Sequence, residues 1–270
     1  MSMQRIKLPE TLLNKIHQEI RFFSVILLMY DGDDSAAVPA AGTLCKIDDY
    51  YGIITAGHVW YHKKTKSGIK AHSDLKIVVG QKSQHISTQY LTAIGPSAAA
   101  KNVGREIPDI IFIIIPSGLH STIEAASKVF YSLDLSMKEH GNDLFDSLDG
   151  FWCTFGSPIK RLDSKHRQAA SVIYGTSTPK KNEEDGWDYL NLDIVAEENQ
   201  MPKDAGGMSG GGIWRTRVLS DFSQHKVVFS GVNFFQTQIS KQYQIIGHGP
   251  QSIYVHLLDL VRADSSNTNS

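Results

Sequence analysis

DAGGMSGGGIW, residues 204–214, sets five glycines around one serine and then runs into an apolar strand. Gly206, Gly207, Gly210, Gly211 and Gly212 flank Ser209, so five of the chain's 22 glycines crowd one short stretch. Glycine tolerates backbone conformations and close approaches that other residues do not, so the cluster marks a tight turn carrying an exposed hydroxyl. By itself such a stretch is more often only a loop. Its neighbours in the sequence decide. GIITAGHVW (52–60) is a short apolar strand that ends at His58, and IPDIIFIII (107–115) places Asp109 at the mouth of a very apolar strand. Taken singly, these read as a structural histidine and a strand-end acid. Together they give His58, Asp109 and Ser209 in chain order, each at the end of an element, which is one of the known orders of a catalytic triad.

The rest of the chain reads as β. Short apolar or alternating runs bounded by Gly, Asp, Ser and Lys predict strands at 22–30, 42–47, 51–55, 75–79, 86–94 and 110–115. A second set follows at 150–156, 169–177, 188–196, 211–215, 226–236 and 242–247. Two sets of strands with little helix between them predict an all-β sandwich or barrel architecture. Leu12, Leu13, Ile16 and Ile20 lie on one face of a helix over 9–21, with Pro9 suited to its first turn. SIYVHLLDLV (252–261) has helical spacing, and the SSNTNS tail after it is expected to be disordered. Residues 116–149 lack a strand period and read as a connector with a short helix near 121–128, while HKKTKSGIK (62–70) reads as a solvated loop.

Composition excludes several classes. The 270 residues hold 27 Lys+Arg against 28 Asp+Glu, a net charge of -1, so no strong field favours nucleic acid. FFSVILLMY (22–30) is apolar throughout, but it follows a helical segment and is followed at once by Asp31, Asp33 and Asp34, which fits a strand rather than a leader peptide. No run approaches the roughly 18 apolar residues a membrane-spanning helix needs. Cys45 and Cys153 cannot form a disulfide framework and read as two buried thiols, which leans towards a reducing, cytoplasmic setting. The eleven histidines show no HExxH, and no glycine-rich segment matches a P-loop or dinucleotide fingerprint, so neither a metal nor a cofactor is expected.

The three segments resemble the trypsin-like (chymotrypsin-fold) serine peptidases, in a bacterial-type intracellular form. TAGHV is similar to that family's TAAH segment, PDIIFI to its DIALL-type segment, and GGMSGGG to its GDSGGP segment. GFWCTFGSP (150–158), VVFSGVNFFQT (227–237) and GPQSIYVHLL (249–258) resemble, in turn, an early strand of the second barrel, the strand beside the substrate, and the start of the C-terminal helix. The resemblance covers roughly residues 22 to 260. It implies two six-stranded antiparallel β-barrels with an N-terminal and a C-terminal helix. The expected divisions are a helical extension at 1–21, a first barrel at 22–118 carrying His58 and Asp109, a connector at 119–149, a second barrel at 150–250 carrying Ser209, a helix at 251–264 and a tail at 265–270.

A serine hydroxyl needs a base during attack, and the resemblance assigns that task to His58, with Asp109 orienting its imidazole. It also implies an oxyanion hole formed by the backbone N–H groups of Gly207 and Ser209. Three departures stand out: Met208 replaces the family's Asp before the serine, Gly212 replaces its Pro, and the cysteine pairs of the secreted animal enzymes are absent. The first suggests that no zymogen activation step depends on that Asp. For specificity, the resemblance points to Lys203 and Asp204, to Phe234, Phe235 and Gln236, and to His248; these favour conflicting substrates, basic for Asp204, acidic for Lys203, Glu or Gln for His248. An extended peptide paired to the 233–236 strand depends on none of them.

The expected activity is a serine endopeptidase acting on protein or peptide substrates through an acyl-enzyme, gated by a regulatory protein partner or a signal. The N-terminal helix and the 61–73 and 197–206 loops are the candidate gates. The alternative is a catalytically silent member of the fold that binds a protein.

Overall fold

The computed structural model describes residues 8–30, 38–65, 68–71, 73–79, 82–96, 108–158, 162–163, 168–169, 171–194, 207–219, 221–223, 226–239 and 242–268. Helix α1 (Glu10–Phe23) leads into β1 (Ser24–Tyr30), β2 (Val38–Ile47) and β3 (Tyr50–Thr55). A short helix α2 (Gly57–Trp60) precedes a ribbon of β4 (Tyr61–Thr65) and β5 (Gly68–Ala71), then β6 (Asp74–Val79), β7 (Lys82–Ser87), β8 (Thr92–Ile94) and β9 (Ile111–Ile114). The connector contains α3 (Ser117–Ala125), the two-residue β10 (Tyr131–Ser132), α4 (Leu133–His140) and α5 (Asp143–Asp146). The second half holds β11 (Phe151–Gly156), a ribbon of β12 (Leu162–Asp163) and β13 (Gln168–Ala169), β14 (Val172–Thr176), β15 (Lys180–Glu184), β16 (Trp187–Asp193), β17 (Gly212–Thr216), β18 (Val228–Ile239) and β19 (Gln242–His248). The chain ends in a helix that opens with a π-helical turn, Ser252–Leu257, and continues as α6 (Leu258–Thr268), reaching into the tail expected to be disordered.

The strands form two main sheets, as expected: one ordered β7-β6-β1-β2-β3-β9-β8, the other β14-β11-β17-β18-β19-β16-β15. One sheet curls into a half-barrel and the other stays uncurled, the form the double barrel takes here. Their pairings are antiparallel except that β10 runs parallel to β2, and the sheets carry eight and seven strands rather than six each. The additional strands have no apolar signature. β10 is two residues long, and β15, KKNEE, is exposed along its whole length. The run expected as one strand over 86–94 breaks into β7 and β8 at a turn of 3₁₀ helix, Thr88–Tyr90. The 62–70 segment, expected as a loop, forms the β4–β5 ribbon.

β1 shows why its sequence is apolar throughout. All seven residues are buried, because successive side chains enter two different cores. Val25, Leu27 and Met29 point into a cluster with Leu44, Ile53, Leu75 and Ile113 inside the first sheet. Ile26, Leu28 and Tyr30 join the cluster that lies between the two halves, with Phe155, Trp214, Phe229 and Val232 from the second sheet.

Helix α1 belongs to that same inter-sheet cluster. Leu12, Ile16 and Ile20 are buried in it, and Phe23 stacks on Trp214 at 5.7 Å. Glu19 Oε1 accepts the Val227 N–H at 3.1 Å, tying the helix to the second half. At its C-terminus the Lys128 ammonium donates to the carbonyls of Arg21 and Ser24 at 2.5 and 2.6 Å, satisfying groups a helix end leaves open. Burial, with Arg21 nearby, lowers the Lys128 pKa to about 8. Cys45 and Cys153 are free and buried, and burial raises both thiols above their ordinary value. Among the described residues no helix is long and apolar enough to cross a membrane.

Candidate active site

His58 sits in the single turn of α2, immediately after β3 carries the chain out of the first sheet. A helix of one turn exposes its first N–H groups, and no side chain of its own caps this one. Asp109, from the segment just before β9, takes that place. Its Oδ1 accepts the His58 backbone N–H at 2.7 Å, and its Oδ2 lies 2.5 Å from His58 Nδ1. One carboxylate thus fixes both the backbone and the ring of the same residue. The contact sets the tautomer, with the proton on Nδ1 and the Nε2 lone pair turned away from Asp109. Burial pushes the His58 pKa down, but the hydrogen bond and charge of Asp109 outweigh it, so the net shift is upward. For Asp109 burial acts upward and is outweighed by the bonds from His58, so its carboxyl titrates below its ordinary value.

Ser209 faces the same cleft, a cavity of about 810 Å³ lined by His58, Asp109 and Ser209 and by Phe234, Phe235, Gln236 and His248 from the second sheet. Its hydroxyl makes no hydrogen bond to His58. The loop around it is fixed on both sides. The Ser209 carbonyl accepts the Ala41 N–H of β2 at 2.9 Å, and the Gly210 N–H donates to the Asn233 carbonyl of β18 at 2.7 Å. Gly210 has φ +82°, and a Cβ there would meet Thr55 Oγ1 at 1.9 Å and the Ala41 carbonyl at 2.2 Å. Only glycine lets the Ser209 loop lie against the first sheet this closely. Gly207 also has a positive φ, 92°, as a tight turn requires. Met208 points the other way. It is 2% exposed and packs with Val172, Tyr174 and Ile245 in the second half, so an apolar anchor stands where the resembling family has a carboxylate.

The remaining predicted residues separate. Phe234, Phe235, Gln236 and His248 line the cleft; Lys203 and Asp204, like the whole 197–206 loop, lie outside the described residues. His248 is wholly buried, and its Nε2 already accepts the Asp109 backbone N–H at 3.0 Å. The sequence reading missed the far wall, where Asn182, Glu184, Tyr189 and Asn191 stand on the β15–β16 hairpin. The signal was present in WDYLNLD: Leu190 and Leu192 alternate with Tyr189 and Asn191, so one face must turn outward. The same pattern puts Asp188 in the buried phase, where it accepts the N–H groups of Gln251 and Ser252 and so caps the C-terminal helix. Among the described residues no group of three His, Cys, Asp or Glu is placed to hold a metal ion.

No protein-family model matches the chain, and no curated protein matches it in sequence. Among solved structures it is similar to a thermostable serine protease, AL20, from an extremophilic microorganism, with TM-score 0.51 and 10% identity over 87% of this chain and 96% of that one. It also resembles the protease Anisep from Arthrobacter nicotinovorans, with TM-score 0.48 and 12% identity over 88% and 95%. Tobacco etch virus protease complexed with product matches with TM-score 0.48 and 13% identity over 94% of this chain and 81% of that one. At such identities the likeness is one of fold, and the chain has the chymotrypsin-like double-barrel fold of the trypsin-like proteases.

Proposed function

We propose that the protein is a serine endopeptidase. The observation that carries this reading is the double clamp of Asp109 on His58, at the rim of a cleft that Ser209 also lines. In this reading His58 Nε2 removes the Ser209 proton as the hydroxyl attacks a peptide carbonyl. The oxyanion is received by the N–H groups of Gly207 and Ser209, and Asp109 stabilises the imidazolium. His58 then protonates the leaving amine, and water releases the acyl group by the same steps in reverse order of roles.

Extended polypeptide is the proposed substrate. β17 pairs with β18 only as far as Val232, so among the described residues the edge of β18 facing away from β19 has no strand partner beyond Asn233. A peptide adding there gains main-chain hydrogen bonds whatever its sequence. The two free, buried thiols favour a reducing compartment, and the cytoplasm is the proposed location. Control by a protein partner or small signal is part of the proposal, since a cytoplasmic peptidase needs restraint.

A second reading, a silent protein-binding module, draws on the absent hydrogen bond between Ser209 and His58. Catalytic contacts of this kind often tighten only when substrate binds, which is why the first reading is preferred. Incubation with a fluorophosphonate probe separates the two. The peptidase reading expects labelling that vanishes in Ser209→Ala. Labelling that appears only after a cell lysate or nucleotide is added indicates gating, and no labelling under any of these conditions supports the silent module.

A further inference from the structure

Beyond the three residues of the proposed site, His248 also touches it, through the Asp109 main chain. His248 ends β19, and nothing of it is exposed. Its ring lies in an aromatic bed, with centroids at 4.7 Å from Phe234, 5.0 Å from Tyr189 and 6.0 Å from Trp187. Its backbone is held from both sides, in register with Tyr189 of β16 and Val232 of β18. The next residue is fixed as well: the Gly249 N–H donates to the Asp188 carbonyl at 2.9 Å, and a Cβ on Gly249 would meet Asp188 Oδ2 at 2.4 Å.

From this rigid seat His248 makes one polar contact. Nε2 accepts the Asp109 backbone N–H at 3.0 Å, which places its proton on Nδ1, a buried atom without a hydrogen-bond partner. A ring that leaves one buried N–H unmet costs stability, so packing alone is a poor account of a histidine here. Asp109, for its part, precedes β9 and gains nothing from the strand ladder, which begins at Ile111. His248 is what holds its main chain. The result is an unbroken series of contacts: cleft floor (Phe234, Tyr189), His248, the Asp109 backbone, the Asp109 carboxylate, and both N–H groups of His58.

We propose that His248 is a positioning residue, which fixes Asp109 under His58 and thereby governs turnover rather than substrate affinity. This rests on the peptidase reading. It assigns His248 no direct part in recognising a substrate side chain, because Nε2 is committed to Asp109 and Nδ1 is buried. Burial keeps the ring neutral over the working range, its pKa lowered to about 4 against the raising effect of the Asp109 charge, so the acceptor persists.

Two substitutions in the full-length protein separate positioning from packing. His248→Phe keeps a ring in the aromatic bed and removes the acceptor. His248→Gln replaces the ring but offers a carbonyl oxygen at nearly the same reach as Nε2. With a fluorophosphonate probe at saturating concentrations, His248→Phe is expected to lower the maximal rate of Ser209 labelling about 10- to 100-fold while the half-saturating concentration moves less than about twofold. His248→Gln is expected to recover most of that rate. An NMR titration of His58 supplies a readout that needs no activity: its raised pKa is expected to fall towards its ordinary value in His248→Phe and to stay raised in His248→Gln. A folded His248→Phe with wild-type labelling and an unchanged His58 titration overturns the proposal. Should His248→Phe not fold, His248→Gln decides alone, since losing the raised His58 pKa there also overturns it. If wild-type Ser209 never labels, the peptidase reading fails, while the His58 titrations still answer whether His248 positions Asp109.

Discussion

Asp109 holds His58 by two hydrogen bonds and so does two different jobs with one carboxylate. Capping α2 fixes where the imidazole is attached, and the Nδ1 contact fixes how it is turned. Replacing the residue separates these jobs. In Asp109→Asn the amide oxygen still accepts one of the two bonds, but the charge that raises the His58 pKa is gone. General-base catalysis needs neutral His58, so in the proposed mechanism wild-type activity is expected to fall as pH drops through the raised pKa. The Asn variant is expected to lose about 10⁴-fold in kcat, with its residual acid limb displaced to lower pH because only the lowering effect of burial remains. A pH–rate profile of both proteins on a peptide substrate checks this; an unmoved limb argues against the clamp. The three principal side chains were legible in the sequence because each sits at a strand or loop end with a distinctive neighbourhood. His248 was legible only as a polar residue near the site. The contact that defines it, to a main-chain N–H 139 positions earlier, is made by tertiary packing and has no local signature. Met208 is similar: the sequence shows that a carboxylate is missing, and only the fold shows that a hydrophobic anchor has taken its place.

Among the elements, α1 is the one whose role changed most between sequence and structure. Its amphipathic spacing was plain, but spacing does not say what the apolar face covers. It covers the seam between the two halves, so the helix is a structural wedge and an unfavourable candidate for a movable gate. Ile16, with no exposed surface, tests this: Ile16→Ala is expected to cost about 2–5 kcal/mol in urea unfolding, and a loss below about 0.5 kcal/mol is what a loosely docked lid would give. The strands with apolar alternation, such as β6 and β16, were foreseen within a few residues. Those held by pairing alone were not. β15 is a charged edge strand, exposed throughout, of the kind that protects a sheet from further association, and its residues carry no pattern to read. Beyond α3, which overlaps the helix expected near 121–128, the connector concealed α4 and α5 because they are short, and short helices owe their stability to the surface they dock on. Arg215 illustrates that docking: its guanidinium, 2% exposed, donates to the Asp143 carboxylate and to the carbonyls of Asp143 and Ser147, pinning α5 to β17.

At the scale of the whole molecule, buried histidine chemistry couples the site to stability. An unfolded chain binds a proton at His248 near its ordinary pKa of 6.5, while the folded protein resists protonation until about 4. Only the unfolded state gains protons in that window, so stability falls as pH drops through it, and the lowered Asp109 carboxyl acts in the same direction. His58 works oppositely, its contribution being present below its ordinary pKa and lost as pH rises through its raised folded value. The charge acting on His248 is the Asp109 carboxylate, from the segment before β9. Between pH 7 and pH 4.5 the His248 contribution is expected to lower the unfolding free energy by about 2–3 kcal/mol. Denaturant titrations at the two pH values check this, with His248→Gln losing correspondingly less; equal losses in the two proteins count against it. A different consequence follows from the hydrogen bond between the Ser209 carbonyl and the Ala41 N–H. It joins the peptide unit of Ser209 in one half directly to β2 of the other, the strand beside β3, which leads to His58. Each half carries only part of the proposed site, so in the peptidase reading activity is a coincidence signal: it is expected only while both halves are folded and seated together.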